Sequence, residues 1–441
     1  MKKFTVKILL VAIMAACGAD ALLAGGINPS VSYTRTQSRA AVVASIDAAY
    51  FNPVGLAWLK DGLYIDVGYQ LMTKTTAYEM AFSGGEDNEG SWFMPNAAVA
   101  YKTGKGAFFI SLNMPEGLES MEYRRPLGGM PLISYFALDL DPIQMAALGN
   151  AGLTVSLGPL TLPGIAYVTG RRYWLQGRLG GAFALTDSVA LTGGISCSYY
   201  DSFRSAGVLK GGTIDKIEKS ALGWSGFAGV MVGKPDGFVV TALYSTEVIA
   251  RGKEKNVKYN YTQIMEQRYP DSLMIGVNIM TRSKASFQLS YQVDFTGERN
   301  YGTRNILARD HEAGFLDWAL IARSASAWSA LPLIAAGNAQ NYKHRNRHSF
   351  GIGMELEFSG FVPGTGLSIS TQEKYPRAQN PLEPDLFRIG YGAGLKAKSG
   401  GVVIETGAAY YFYITDRMLF NSIKLNRTAW TWGASVSMKV M

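Results

Sequence analysis

The sequence predicts an all-β fold: a 14-stranded antiparallel transmembrane β-barrel with an N-terminal hatch, or plug, inside its lumen. Two patterns along the chain carry the prediction, the alternation of apolar and polar residues and the alternation of short and long connections. Hydrophobic residues make up 48% of the 441 and charged residues only 17%, which excludes a disordered chain. Beyond the N-terminus no apolar run of about 20 residues occurs, which argues against a helical membrane protein.

The first element is a targeting segment, residues 1–24. Lys2, Lys3 and Lys7 precede an apolar stretch and then small residues, the order found in signal peptides. It predicts export, here to the cell outer membrane. The run that ends at Cys17 weakly resembles a lipoprotein box, so acylation of Cys17 stays open. A mature chain that starts after it keeps one thiol, Cys197, and forms no internal disulfide.

The barrel is predicted over residues 63–441. In residues 63–74 and 286–296 every second side chain is apolar and the residues between are mostly polar. This is the pattern of a strand with one apolar face and one face toward water. Twelve more segments show this pattern, beginning near Asn96, Ala107, Arg172, Val189, Trp224, Phe238, Ser272, Ser349, Gly366, Leu386, Val402 and Ala429. Fourteen is an even number, which places both ends of a bacterial barrel on one side.

The connections between these segments alternate in length. Short turns are predicted at residues 103–106, 186–188, 233–237, 282–284 and 398–401, each after an even-numbered strand. Long links are predicted at about 116–170, 203–222, 250–269 and 297–342. Short periplasmic turns and long external loops are typical of outer-membrane barrels. A soluble β-sandwich of similar strand count would not require this asymmetry.

Polar side chains on the inward register define the predicted lumen. Paired charges and amides in a polar interior mostly satisfy one another, so a structural network is the favoured interpretation for most of them. Arg178 and Arg388 are candidates for binding an anion, because guanidinium holds a carboxylate through two hydrogen bonds. The full predicted set is Asp66, Gln70, Gln176, Arg178, Gln288, Gln292, Asp294, Glu355, Glu357, Arg388, Lys396 and Glu405.

The net charge of +8 does not predict a nucleic-acid partner, because the basic residues are scattered rather than gathered on one helix or stripe. The densest basic run, residues 341–348, would either contact lipopolysaccharide or end a solvated strand. Residues 130–162 and 315–334 are rich in apolar side chains. Exposed apolar loops either pack against each other or bind a hydrophobic ligand. The second interpretation gives a hydrophobic capture site at Phe136, Leu138, Trp318, Leu320 and Trp328.

The segment before the first strand, residues 25–62, carries a short helical pattern broken by proline. Its sequence Asp-Ala-Ala-Tyr-Phe-Asn-Pro-Val-Gly-Leu-Ala, residues 47–57, resembles the hatch motif of the FadL family of outer-membrane transporters for long-chain fatty acids and aromatic hydrocarbons. The resemblance implies a barrel plugged by an N-terminal hatch, with these gate residues: Asp47, Tyr50, Phe51, Asn52, Pro53 and Val54. It also implies an inward kink of the third strand, expected here at Asn113, Pro115 and Gly117, where proline interrupts the ladder. A strand that simply ends in a loop is the alternative at this point.

Three departures from that family accompany the resemblance. The longest external segments follow strands three and nine, and the ligand-capturing loops of the family do not map onto them. Val54 replaces an alanine of the motif. The chain ends on Val440 and Met441 rather than on the aromatic residue that the barrel assembly machinery, an expected partner, normally reads.

The predicted function is passive uptake of a hydrophobic small molecule with lateral release into outer-membrane lipid. No cofactor, metal or enzymatic activity is predicted. The three histidines are not part of a serine motif, and no Gly-x-Ser-x-Gly elbow occurs. An outer-membrane lipase or phospholipase, or a structural or adhesive barrel, remain the alternatives.

Overall fold

The computed structural model describes residues 30–80, 83–114, 118–123, 155–157, 160–162, 167–208, 212–257, 261–296, 302–305, 346–372, 386–418 and 423–440. Most of them lie in one antiparallel sheet that closes on itself, because the first strand pairs with both the second and the last. The predicted 14-stranded barrel is therefore confirmed. Within the described part of the chain, no helix has the length and hydropathy needed to cross a membrane.

Ten barrel strands are continuous and four consist of two segments each. The strands are β1 (Gly62–Met80), β2 (Ser83–Thr103), β3 (Gly106–Asn113 and Leu118–Tyr123), β4 (Tyr167–Thr186), β5 (Val189–Val208), β6 (Gly212–Gly233), β7 (Phe238–Ser245 and Val248–Asn256), β8 (Tyr261–Tyr269 and Ser272–Met280), β9 (Ala285–Asp294 and Gly302–Asn305), β10 (Arg347–Leu356), β11 (Phe361–Ser370), β12 (Arg388–Ser399), β13 (Val402–Met418) and β14 (Ile423–Lys439). A separate short hairpin pairs Val155–Leu157 with Leu160–Leu162.

The outer face of the barrel is apolar and the inner face is largely polar. In Gly106–Asn113, burial alternates residue by residue: Phe108 and Ile110 are exposed on the outside, whereas Phe109 and Ser111 are buried inside. The same alternation runs along β10 and β11. This arrangement gives each strand one face toward lipid and one toward the lumen, as a membrane-spanning barrel requires.

Six short turns join even-numbered strands to the following odd-numbered strand, and five of them are the predicted ones. The sixth, residues 357–360, was missed because its Phe358 and Phe361 continue the apolar pattern across the turn. A bridge between these two residues closes it. Ser359 and Gly360 both take positive φ there, at 46° and 89°. Glu357, predicted to face the lumen, lies in this turn and forms an ion pair with Lys398 at 2.6 Å.

Two of the predicted long links are wrong. Most of residues 203–222 continues β5 and β6, which pair as far as Val208 and Gly212. Likewise, most of residues 250–269 belongs to β7 and β8, which pair as far as Asn256 and Tyr261. In the second hairpin the exposed positions of β7 are Arg251, Lys253 and Lys255, so an apolar outward residue no longer marks the strand. The other two links contain short strand segments within their described residues: Leu118–Tyr123 in one and Gly302–Asn305 in the other.

β3 is interrupted where the kink was expected. Asn113 pairs with Gln176 of β4, and the next described partner pair is Leu118 with Tyr173. Between these two pairs the chain has four residues on the β3 side and two on the β4 side. On this side β2 pairs with the first segment of β3, Gly106–Asn113. No ladder joins β2 to the second segment, Leu118–Tyr123, within the described backbone. Pro115 and Gly117 lie outside the described residues.

Residues 30–61, called here the plug segment, occupy the lumen. The segment contains an α-helix, α1 (Val31–Thr36), and two 3-10 helices, Ile46–Tyr50 and Pro53–Trp58. α1 contacts β1 and β10 to β14, and the second 3-10 helix contacts β2 to β6. Because these contacts come from opposite sides of the cylinder, the segment lies inside it.

Candidate functional site: the plugged lumen

α1 packs against a wall of glycines on β10 to β13. A Cβ atom at Gly366 would overlap the carbonyl oxygen of Thr36, and one at Gly353 would lie 2.6 Å from the same oxygen. A Cβ atom at Gly392 would likewise overlap the carbonyl oxygen of Thr34. Only glycine lets the two backbones approach this closely. The wall therefore fixes the position of α1, which Ser30 caps at its N-terminus.

Ion pairs hold the same end of the plug segment. Arg35 is fully buried and binds Glu355 of β10 and Glu405 of β13, the latter at 2.6 Å. Arg39 binds Asp47 of the plug and also reaches Glu355 at 3.1 Å. Removal of one partner from a buried pair leaves an uncompensated charge. We therefore regard this network as the anchor of the plug.

The charges of the anchor stabilise one another in their ionised forms. Burial by itself would raise the pKa of Asp47, but Arg39 and Lys396 outweigh it and hold the pKa below its ordinary value. Burial would lower the pKa of Arg39, but the carboxylates of Asp47 and Glu355 raise it. Both groups remain charged at neutral pH.

The second half of the plug segment is apolar and packs on the other side of the lumen. Val54 and Leu56 are fully buried, beside Phe109 of β3 and Phe227 of β6. Val54, which departs from the motif, thus fits a closed apolar core. Pro53 occupies the first turn of its 3-10 helix, where the missing amide hydrogen costs nothing.

The remaining predicted gate residues bind the plug to itself and to the wall. The Tyr50 hydroxyl donates to Asp66 of β1 at 2.7 Å and accepts from Asn96 of β2 at 3.0 Å. The ring of Phe51 stacks on Tyr33 of α1 at 5.8 Å. The Asn52 side chain donates to the carbonyl oxygen of Ala40 at 3.2 Å. It therefore links two parts of the plug segment that are 12 residues apart, and does not bond to the backbone of its own turn.

The two candidate anion-binding arginines occupy different settings. Arg178 of β4 donates to the carbonyl oxygen of Tyr50 at 3.0 Å and lies over the ring of Phe227. Arg388 of β12 lies over the ring of Tyr411 at 5.3 Å. Neither forms an ion pair among the described residues, and each has a buried Nε without a hydrogen-bond partner there. Each guanidinium group therefore has a donor that no described residue uses.

A buried apolar cluster lines the lumen on β4 to β8. It consists of Trp174, Tyr200, Ala221, Val248, Ala250 and Met265, with Tyr269 packed against it. Trp174 lies on β4 at the level where β3 is interrupted, between the partners Tyr173 and Gln176. Its indole Nε1 is buried and has no partner among the described residues. The cluster therefore reaches the level at which β3 divides into its two segments.

Sequence reasoning found only part of this lumen. Asn113 is buried at the end of the first β3 segment. Phe136, Leu138, Trp318, Leu320 and Trp328, the predicted capture residues, lie outside the described residues. Arg35, Arg39 and Trp174 were missed. Arg35 and Arg39 lie in a polar stretch without helical periodicity. The one signal for their ion pairs was the presence of two arginines ahead of the first strand. No group of metal-ligating side chains forms within the described chain.

These features define a class of protein: an outer-membrane-type barrel whose lumen is closed by its own N-terminal segment. No protein-family model and no curated protein matches the sequence. Solved structures match its fold over nearly the whole chain. The toluene transporter TodX of Pseudomonas putida has a TM-score of 0.61 at 11% identity and covers 93% of this chain and 98% of its own.

Two further structures extend the comparison. A FadL homologue of Pseudomonas aeruginosa has a TM-score of 0.60 at 10% identity, covering 95% of this chain and 100% of its own. The toluene transporter TbuX of Ralstonia pickettii has a TM-score of 0.56 at 14% identity, covering 93% and 98%. The resemblance to the FadL family that the hatch motif suggested is thus confirmed in the fold.

Proposed function

We propose that the protein is an outer-membrane channel for passive uptake of hydrophobic small molecules, either long-chain fatty acids or aromatic hydrocarbons, with lateral release into the membrane. The observation that carries the proposal is the buried apolar cluster on β4 to β8. A water-filled pore has a polar interior. An apolar lining reduces the cost of taking an oily solute out of lipid or micelles, at about 0.8 kcal/mol per buried CH₂.

The route follows from where the cluster ends. Trp174 lies beside the interruption of β3, and no ladder joins the second segment of β3 to β2 in the described backbone. A solute on the cluster can leave sideways at this point without crossing water. The plug segment meanwhile blocks the axial path, since its apolar half packs on β2 to β6 just below.

The opposite wall suggests how a polar head group would be held. β12 to β14 lie across the cylinder from β4 to β8, and they carry Arg388 over Tyr411 and Arg427 over Tyr413. An amphiphile could place its tail on the cluster and its carboxylate at this cationic wall. A neutral hydrocarbon would use the cluster alone, so the contribution of Arg388 separates the two solute classes.

The proposal is tested with two neighbouring residues of β8 that face opposite ways. Met265 is buried in the cluster, whereas Ile264 is exposed on the outside. Met265→Gln should weaken binding of a fluorescent fatty acid and of toluene about tenfold or more, because it places an amide against the solute. Ile264→Gln is the matched control and should bind normally. Equal affinity of Met265→Gln and wild type for both solutes would contradict the proposal.

A further inference from the structure

The outer face of β7 changes character along its length. From Phe238 through Val240 to Tyr244 the outward side chains are apolar or aromatic and exposed to lipid. Farther along, in the segment Val248–Asn256, the exposed positions are Arg251, Lys253 and Lys255. Because residues two apart share a face of a strand, these three cations form one row.

The row begins where the membrane ends. Phe238 follows a short periplasmic turn, and Ile249 is 11 residues farther along. At about 3.3 Å per residue and a tilt of about 40°, this separation spans about 28 Å across the membrane, close to the apolar band of about 25 Å. Arg251 pairs in the ladder with exposed Leu222 of β6, and the next residue on the same face of that strand is Ser220, opposite Lys253. The cations therefore lie at head-group level, on the side opposite the short turns.

Part of this positive charge is uncompensated. Glu266 of β8 accepts from Arg251 at 3.3 Å and also from Arg268 at 2.5 Å, so it is shared between two arginines. Lys253 and Lys255 form no ion pair among the described residues, although Lys255 stands opposite Glu218 in the ladder. Glu218 in turn pairs with Lys216 at 3.3 Å.

We propose that this row, Arg251, Lys253 and Lys255, binds the phosphate groups of lipopolysaccharide in the outer leaflet. The chemistry fits on two counts. Phosphates at the head-group surface meet three cations on one rigid strand, and the acyl chains below meet exposed Trp224 and Leu222 of β6. The site differs from the basic run at residues 341–348, and it does not depend on which solute the lumen carries.

The test compares two triple variants of the purified protein in detergent. Arg251→Gln, Lys253→Gln and Lys255→Gln together remove the row. Lys105→Gln, Lys234→Gln and Lys284→Gln together remove three exposed lysines from the periplasmic turns and serve as the matched control. Binding of purified diphosphoryl lipid A is measured by native mass spectrometry, with heat-modifiable mobility on gels as the check on folding.

Each cation near a charged lipid surface contributes about fivefold in affinity, equivalent to about 1 kcal/mol. The row variant should therefore lose roughly a hundredfold in lipid A affinity, and the control should stay within about twofold of wild type. Lipid A without phosphates should bind wild type as weakly as the row variant binds lipid A. If the triple variant does not fold, Lys253→Gln alone should lose about fivefold.

Three outcomes would overturn the proposal. The first is normal lipid A affinity in the folded row variant, or in Lys253→Gln. The second is an equal loss in the control variant, which would mean that total charge alone is responsible. The third is equal affinity of wild type for lipid A, dephosphorylated lipid A and phosphatidylglycerol, which would leave only unspecific adsorption.

Discussion

Removing the surplus residues of β3 should close the barrel wall. Between the pairs formed by Asn113 and Leu118, β3 has four residues where β4 has two. Deletion of Pro115 and Glu116 makes the two counts equal, so the strand can run straight between its neighbours. The second segment, Leu118–Tyr123, could then pair with β2. On the order of six new backbone hydrogen bonds, at about 0.5 to 1.5 kcal/mol each, would add roughly 3 to 9 kcal/mol.

The assay separates binding from release. Wild-type and deleted protein are reconstituted in liposomes, and transfer of a fluorescent fatty acid from the lumen to the bilayer is followed, together with binding at equilibrium. We expect the deletion to raise the thermal unfolding temperature, to keep binding within a fewfold, and to slow transfer at least tenfold. The control keeps the chain length and replaces Pro115 and Glu116 with alanine. A deleted protein that assembles and transfers solute at the wild-type rate would refute lateral release at β3.

Three further predictions concern the plug, and one concerns topology. Gly366→Val should displace α1 from its wall and raise leakage of small polar molecules through reconstituted barrels that still assemble, whereas Gly226→Val on the outer face should not. Arg35→Gln removes one of the buried cations beside Glu355 and Glu405, so that only Arg39 and Lys396 remain to balance them, and should destabilise plug docking by up to about 3 to 5 kcal/mol, measured by hydrogen exchange of α1. Asp47 has a lowered pKa, so its stabilising contribution is complete above the ordinary value of 3.8 and is lost as pH falls through the native pKa. Leakage should therefore rise below about pH 4, and Asp47→Asn should raise it already at neutral pH. A tag inserted after Val208 should be labelled on intact cells and one between Ser399 and Gly400 should not; the reverse result would invert the barrel.

The barrel could be predicted from sequence because the membrane imposes a rule on each strand. Every outward side chain within the apolar band must be apolar, so the period of two is visible in each of the fourteen strands. The rule stops at the membrane surface. Lys216 and Lys253 lie in β6 and β7 beyond that surface, where an outward side chain need not be apolar, and the sequence there was interpreted as loop.

The candidate site was predictable only on the barrel side. Glu355 and Glu405 were placed in the lumen because they stand in register on strands. Their partner Arg35 belongs to a helix that is buried in a polar lumen and against glycines, so α1 carries no apolar stripe. Trp174 fits the alternation of β4, but the sequence does not show that it stands opposite the break in β3.

The ion pairs of the plug also have a consequence for assembly. Arg35 is 370 residues from Glu405 along the chain, and Ser32, whose hydroxyl donates to the other oxygen of the same carboxylate, is 373 residues from it. The plug segment precedes every strand in the chain, yet its anchor exists only after β13 has been made. Contacts of such long sequence separation form late and slowly. The segment must therefore be retained within the growing sheet until β14 pairs with β1, and a cylinder that closes too early would trap its own N-terminus outside.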